Sequence, residues 1–211
     1  MLPVRLQFIT DAPTVDQTVA QARQALDGGC RWVQVRMKGA DRPTLRQALE
    51  RVRELCANKK ATLIVDDDVE LCRQGFADGV HLGQTDMPVA DARRILGPDK
   101  IIGLTVNNMD HARAALAQPA DYIGLGPWRF TGTKANLAPV LGPQGVAEIV
   151  ATLRAGGFER PIVVIGGVTA ADVAAIRATG ADGVAVAGAI SRAPDPVEAT
   201  QTFVTAIENN K

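Results

Sequence analysis

Three stretches of this chain repeat one pattern: Ala77-Asp78-Gly79-Val80-His81-Leu82-Gly83, Ala120-Asp121-Tyr122-Ile123-Gly124-Leu125-Gly126 and Ala181-Asp182-Gly183-Val184-Ala185-Val186-Ala187. Each sits where a helix-period segment hands over to a short apolar run. The runs they introduce, 79–82, 122–125 and 184–186, are the fourth, sixth and eighth of a series whose other members are 5–10, 32–37, 62–65, 101–106 and 162–165. All are brief, rich in Val, Ile and Leu, and mostly bounded by Gly, Asp or Pro. Continuous rather than alternating hydrophobicity fits parallel strands covered on both sides. A unit repeated on alternate strands fits a barrel, whose interior is filled in layers by alternate strands. The expectation is one (β/α)8 TIM barrel occupying residues 1–211 as a single domain. An open doubly wound sheet is the alternative, but it usually opens on a glycine-rich first turn, and Thr10-Asp11-Ala12-Pro13 is not one.

Helices fill the intervals. Between Asp41 and Lys60, the residues Leu45, Ala48, Leu49, Val52, Leu55 and Cys56 fall on one face. Thr14 with Gln17, and Thr169 with Asp172, have the spacing of N-terminal caps, and Asp195-Pro196 followed by Glu198 opens the last helix in the same manner.

Bulk properties narrow the function. Lys+Arg and Asp+Glu both number 23, so the formal charge is zero. That balance argues against a nucleic-acid groove or an anionic membrane surface as the main partner, and the 4% aromatic content leaves little for base stacking. No stretch approaches the ~20 apolar residues of a membrane span, and the N-terminus carries no cleavage signal. Cys30, Cys56 and Cys72 have unrelated spacings and lie in apolar surroundings, as buried free thiols do in a reducing cytoplasm. The partners expected are small molecules, and the outer helix faces leave a homodimer open.

Barrel active sites lie at the C-terminal ends of the strands. After strand two, alternation sends Gln34, Arg36 and Lys38 to one face. Two inward cations are expensive unless an anion meets them; an ion pair to a neighbouring strand is one solution and an anionic ligand the other. Strand three ends in Asp66-Asp67-Asp68, of which Asp68 is best placed to cap the next helix. Strand four ends Gly83-Gln84-Thr85-Asp86, which brings Asp86 near Asp67. Two such carboxylates either are solvated loop residues or hold a cation, and oxygen ligands without Cys or His favour Mg²⁺ completed by water and a substrate phosphate. After strand six, Thr131-Gly132-Thr133-Lys134 can surround a phosphate with donors. Gly166-Gly167 after strand seven and Ala187-Gly188 after strand eight lack side-chain bulk, so backbone N–H groups can approach an anion there. Neither His81, mid-strand, nor His111, on a helix, reads as a general base.

The segments Gln34-Val-Arg-Met-Lys38, Ala77-Asp-Gly-Val-His-Leu-Gly-Gln-Thr-Asp-Met-Pro88, Gly126-Pro127 with Thr131-Gly-Thr-Lys134, and Ile165-Gly-Gly-Val168 resemble the thiamine phosphate synthase family, in the same order along nearly the whole chain. The resemblance implies a Mg²⁺-assisted transferase that joins 4-amino-2-methyl-5-(diphosphomethyl)pyrimidine to a thiazole phosphate and releases pyrophosphate. It implies that Gln34, Arg36 and Lys38 hold the pyrimidine diphosphate together with Asp66, Thr105 and Lys134. Asp67 and Asp86 are implied as ligands of Mg²⁺. Thr131, Gly132, Thr133, Gly166, Gly167, Ala187 and Gly188 are implied around the thiazole phosphate. Arg36, Lys38 and Lys134 are the implied catalytic cations.

Two positions depart from the family pattern. An Asn usually precedes the first metal-binding Asp, and here it is Asp66; an added carboxylate beside a pyrophosphate is repulsive unless something offsets it. The family's serine at strand five appears as Thr105, a mild change. The rival readings are a thiazole tautomerase, which resembles this barrel but uses a histidine near the end of strand five where this chain has Leu104-Thr-Val-Asn-Asn108, and a non-catalytic barrel that binds phosphorylated ligands.

Overall fold

The computed structural model describes residues 5–130 and 139–210. Eight parallel strands close into a barrel in the order β1-β2-β3-β4-β5-β6-β7-β8. They are β1 (Leu6–Ile9), β2 (Trp32–Val35), β3 (Thr62–Asp66), β4 (Gly79–Leu82), β5 (Ile101–Val106), β6 (Tyr122–Leu125), β7 (Ile162–Ile165) and β8 (Gly183–Val186). The helices between them are α1 (Val15–Asp27), α2 (Arg42–Lys59), α3 (Val69–Arg73), α4 (Val89–Leu96), α5 (Met109–Ala115), α6 (Gly142–Ala155) and α7 (Val173–Ala178). A short α8 (Gly188–Ser191) follows β8, and α9 (Pro196–Glu208) ends the described chain. No helix among the described residues is long and apolar enough to cross a membrane.

The repeated Ala-Asp pair has a structural cause. Asp78 Oδ2 accepts from Leu63 N at 2.8 Å, Asp121 Oδ2 from Ile102 N at 2.8 Å, and Asp182 Oδ2 from Ile162 N at 2.7 Å. Each aspartate thus satisfies the first free N–H of the preceding strand, which no ladder partner reaches. Arg93 and Arg154 close on the second and third of these carboxylates at 2.5 Å. The motif therefore marks the end of the barrel away from the site.

Expected helix starts hold as capped ends. Thr14, Asp41, Asp68 and Asp195 each accept a hydrogen bond from a first-turn N–H, and Thr169 with Asp172 forms a reciprocal capping box ahead of α7. In α2, Ala48, Leu49, Val52 and Cys56 are buried against the sheet.

Two cores result. The larger lies between sheet and helices; the smaller, inside the barrel, gathers Ile9, Trp32, Ile64, Tyr122, Val163 and Ala185. Trp32 and Tyr122 meet edge to face with ring centroids 4.7 Å apart. Gly103 opposite makes this possible, because a Cβ there would stand 2.1 Å from Tyr122 Cζ. Strand alternation then carries Gln34, two residues after Trp32, and Asp66, two after Ile64, onto the same inward face. Both lie above the apolar plug, at the C-terminal mouth.

Candidate active site

The mouth is a pocket of about 470 Å³, within the ~300–1,000 Å³ range of small-molecule sites. Gln34, Arg36, Asp66, Asp67 and Asp86 line one side and Gly166, Gly167, Ala187 and Gly188 the other, with Thr105 on the floor. The strand ends thus bring together eleven of the residues implied above: the ten just named and, through a shared wall, Lys38. Lys38 lies beyond the end of β2, exposed, and lines an adjoining groove of about 480 Å³ that has Arg36, Asp66 and Asp67 in common with the pocket. Thr131, Gly132, Thr133 and Lys134 lie outside the described residues.

Arg36 is aimed by its backbone. Thr10 Oγ1 accepts from Arg36 N at 2.9 Å and lies 3.1 Å from Arg36 O, to which it donates. From there Arg36 Nε reaches Asp66 Oδ2 at 3.1 Å, while Gln34 Nε2 donates to Asp66 Oδ1 at 2.6 Å. The ion pair to a neighbouring strand that the sequence leaves open is therefore formed, and it offsets the extra carboxylate at position 66. The Gln34 amide is buried, and its Oε1 has no hydrogen-bond partner among the described residues.

Asp67 stands at the rim with φ +61, in the left-handed region, which costs a side-chain-bearing residue ~1–2 kcal/mol and which Asp tolerates better than most. Partial desolvation, the neighbouring charges of Asp66 and Asp86, and a hydrogen bond with Asp86 push its carboxyl up to about 7, with Arg36 opposing. Asp86 is fixed in turn by Gly83 N, which donates to its Oδ2 at 2.6 Å. Two carboxyl groups in one hydrogen bond must share a proton between them, and a divalent cation can take that proton's place. The pair fits Mg²⁺ through this donor chemistry, with the remaining positions left to water and phosphate. No group of three His, Cys, Asp or Glu gathers for a metal among the described residues.

On the opposite wall, Gly166 (φ +97) and Gly167 (φ +69) turn the chain after β7. A Cβ on Gly166 would lie 2.7 Å from Pro127 Cα and one on Gly167 2.4 Å from Arg129 Cγ. The pair is therefore required by backbone conformation and by the close approach of the loop after β6, besides clearing space in the pocket. Trp128 N and Arg129 N donate to Ile165 O and Gly166 O at 2.9 Å each, which moors that loop.

The floor carries a polar chain. Gln7 Nε2 donates to Tyr122 Oη at 3.1 Å, Tyr122 Oη meets His81 Nδ1 at 2.9 Å, and His81 Nε2 meets Thr105 Oγ1 at 2.8 Å. His81 is thus engaged through both ring nitrogens and serves as a hydrogen-bonding member of the barrel filling. His111 sits at the start of α5, partly buried, where Asn108 caps its N–H.

Sequence reasoning missed Arg192. It lines the pocket, pairs with Asp11 (Nη2–Oδ2 2.9 Å), and holds its guanidinium Cζ 3.4 Å from where a Gly188 Cβ would be. Asp11 is in turn held by Gln21, whose Nε2 donates to its Oδ1 at 3.0 Å. Only barrel closure brings residues 181 positions apart together, so local spacing gave no signal.

A family model described as thiamine monophosphate synthase matches residues 6–190. A thiamine-phosphate synthase of Bacteroides fragilis is 47% identical over 199 residues, 94% of this chain and 98% of the relative. One of Phocaeicola vulgatus is 46% identical over 201 residues, 95% of this chain and 97% of the relative. Among solved structures, a thiamine phosphate pyrophosphorylase from Pyrococcus furiosus superposes with a TM-score of 0.86 at 32% identity, covering 98% of this chain and 96% of that one.

Proposed function

The chain belongs to the thiamine monophosphate synthase family, and from that premise we propose how its barrel mouth makes thiamine phosphate. The protein is a transferase that joins 4-amino-2-methyl-5-(diphosphomethyl)pyrimidine to thiazole phosphate or its carboxylated tautomer. The bond from the pyrimidine methylene carbon to the diphosphate oxygen breaks, the thiazole nitrogen bonds to that carbon, and pyrophosphate leaves with the electron pair.

The demands on the protein are electrostatic. Bond cleavage concentrates negative charge on the departing diphosphate and leaves a cation that the electron-rich aminopyrimidine stabilises itself. Arg36 and Lys38 serve the diphosphate, Arg36 from inside the pocket and Lys38 from the adjoining groove, which gives the leaving group a cation-lined way out. Lys134 joins them on the family resemblance. Asp67 and Asp86 would hold Mg²⁺, which when bound supplies further charge for the leaving group. Gln34 and Thr105 orient the pyrimidine, and Asp66 restrains Gln34 and Arg36. Gly166, Gly167, Ala187 and Gly188 form the cup for the phosphate that stays, with Thr131, Gly132 and Thr133 beside it and Arg192 as an additional cation. No protein nucleophile or strong base is required, and this suits a site whose one histidine has both nitrogens engaged.

The observation that carries this reading is the Asp67 and Asp86 carboxyl pair beside Arg36, facing a wall of residues without bulk in the same pocket. At the strand-five position where the tautomerase reading needs histidine, Asn107 donates to Gly126 O at 2.7 Å and Asn108 caps α5. Three buried, unpaired cysteines suit a reducing cytoplasm. The test mixes both heterocyclic phosphates with the protein and Mg²⁺ and follows thiamine phosphate and pyrophosphate. Tight binding of both without product would overturn the enzyme reading in favour of a ligand-binding barrel.

A further inference from the structure

Asp66 faces both openings of the site. It lines the pocket and the adjoining groove alike, together with Arg36 and Asp67. Its side chain is 17% exposed and that of Arg36 20%, and Arg36 Nε meets Asp66 Oδ2 at 3.1 Å. A guanidinium has five donors, so this pair tempers Arg36 rather than consuming it. In the groove but not the pocket, Arg42 is matched in the same way, by Asp68 at 2.7 Å. The two arginines that line the groove are thus each met by a carboxylate, an arrangement poorly suited to retaining an anion. Partly buried charges are screened less than exposed ones, so the carboxylate at position 66 acts on whatever phosphate group lies beside Arg36.

We propose that Asp66 is a release residue, whose charge weakens the hold on the pyrophosphate product more than the hold on the diphosphate ester and so limits product inhibition. The proposal rests on the reading of Arg36 as a cation for the diphosphate. When the carbon–oxygen bond breaks, the electron pair stays on oxygen. A neutral ester linkage becomes a charged terminal oxygen on the phosphate nearest the ring. With Mg²⁺ bound, the ester carries about one net negative charge and free pyrophosphate about two. Repulsion from Asp66 therefore roughly doubles on cleavage. Asparagine, of the same shape and without charge, would leave Arg36 unopposed, and the product would be held by the same attraction that helped to form it. Stabilising the departing charge and then letting it go are opposed demands, and one carboxylate beside Arg36 moderates the first in favour of the second.

The test is equilibrium binding, with Mg²⁺ present at pH 8, of pyrophosphate and of an inert counterpart of the pyrimidine diphosphate in which CH₂ replaces the ester oxygen. Asp66→Asn should bind pyrophosphate about tenfold more tightly, ~1.4 kcal/mol, and the inert diphosphate only about threefold more tightly, because half the net charge meets half the repulsion. The ratio of the two affinities then moves about threefold toward the product. Asp66→Ala, which shares only the loss of charge, should move that ratio the same way whatever it does to either affinity alone. A merely structural Asp66 would change both affinities by one factor, in either direction, and that result overturns the proposal. So does a wild type that binds pyrophosphate more tightly than the inert diphosphate, a measurement that needs no variant to fold. A wild type that binds neither ligand and forms no thiamine phosphate overturns the diphosphate-site reading itself, and the proposal with it.

Discussion

Lowering the pH from 8 to 6 should weaken Mg²⁺ binding to this protein about tenfold, with Asp67 as the group responsible. Metal ligands bind in their deprotonated form, and the Asp67 carboxyl is pushed up to about 7 by desolvation and by Asp66 and Asp86. About nine in ten molecules then carry the Asp67 charge at pH 8 and about one in ten at pH 6, whereas an ordinary aspartate near ~3.9 is ionised at both. Calorimetric titration with Mg²⁺, or Mn²⁺ binding followed by paramagnetic resonance, reads this without substrate or turnover. Asp67→Asn should abolish binding at both pH values while keeping the fold, because Asn accepts the positive φ of 61 at least as readily as Asp. The same shift has a consequence for stability. Its folded-state value lies above the ordinary one, so between about pH 4 and 7 the folded chain keeps a proton that the unfolded chain releases. The metal-free protein therefore loses this group's contribution as pH rises through that window, and the loss is complete above it. Asp67 is partly exposed and solvent screens much of the repulsion, so about 1 kcal/mol is the expected scale. In a domain of this size that is about 2–4 °C in Tm, which Asp67→Asn should recover at pH 8 and not at pH 4. Equal metal affinity at pH 6 and pH 8, or wild-type metal binding by Asp67→Asn, would refute the reasoning.

Three further outcomes are expected. Arg192→Ala should raise KM for the thiazole phosphate about tenfold, a loss of ~1.4 kcal/mol, and leave KM for the pyrimidine diphosphate unchanged; the same variant assayed with the dephosphorylated thiazole should show no effect, and an equal effect there would remove Arg192 from the phosphate cup. Gly103→Ala forces a Cβ to 2.1 Å from Tyr122 Cζ and should cost about 1–3 kcal/mol of stability by overpacking, read as a lower denaturation midpoint. Asp68→Ala should cost about 1 kcal/mol through loss of the α3 cap, and metal affinity measured on the same sample should stay at the wild-type value, in contrast to its neighbour.

The barrel was legible because strand runs in this chain are apolar and punctuated by Gly, Asp and Pro, so seven of the eight are found within one residue of the expected bounds at each end. Strand two stops at Val35 rather than Met37, because the chain turns outward through Gly39, whose φ is +80. This places Lys38 in the adjoining groove although alternation had grouped it with Gln34 and Arg36. The repeated Ala-Asp pair announced alternate strands, but its physical cause, an aspartate capping the N–H of the strand before it, depends on register that a sequence does not print. Residues at strand ends could be assigned to the mouth because alternation and the C-terminal rule are local. The Gln7–Tyr122–His81–Thr105 chain and the Arg192–Asp11 pair could not, since each exists only once the barrel has closed.

Asp66, Asp67 and Asp68 show how closure and local conformation together divide three identical side chains among three tasks. In an uninterrupted strand, alternation would send the first and third inward and the second into the helix layer. Instead Asp68 N donates back to Asp66 O at 2.7 Å, a three-residue turn centred on Asp67 at φ +61. Asp67 N still reaches His81 O on β4 at 2.9 Å, so the turn begins while the chain is held to the sheet. The inward place goes to Asp66, which meets Arg36 and Gln34; the rim goes to Asp67, which meets Asp86; and Asp68 is free to accept from Leu71 N at 2.9 Å and open α3. Glycine would make that turn without strain. A carboxylate that sits there against both backbone preference and the charge of its neighbours is one whose chemistry the site requires, because strain of this kind gathers where function over-determines the conformation.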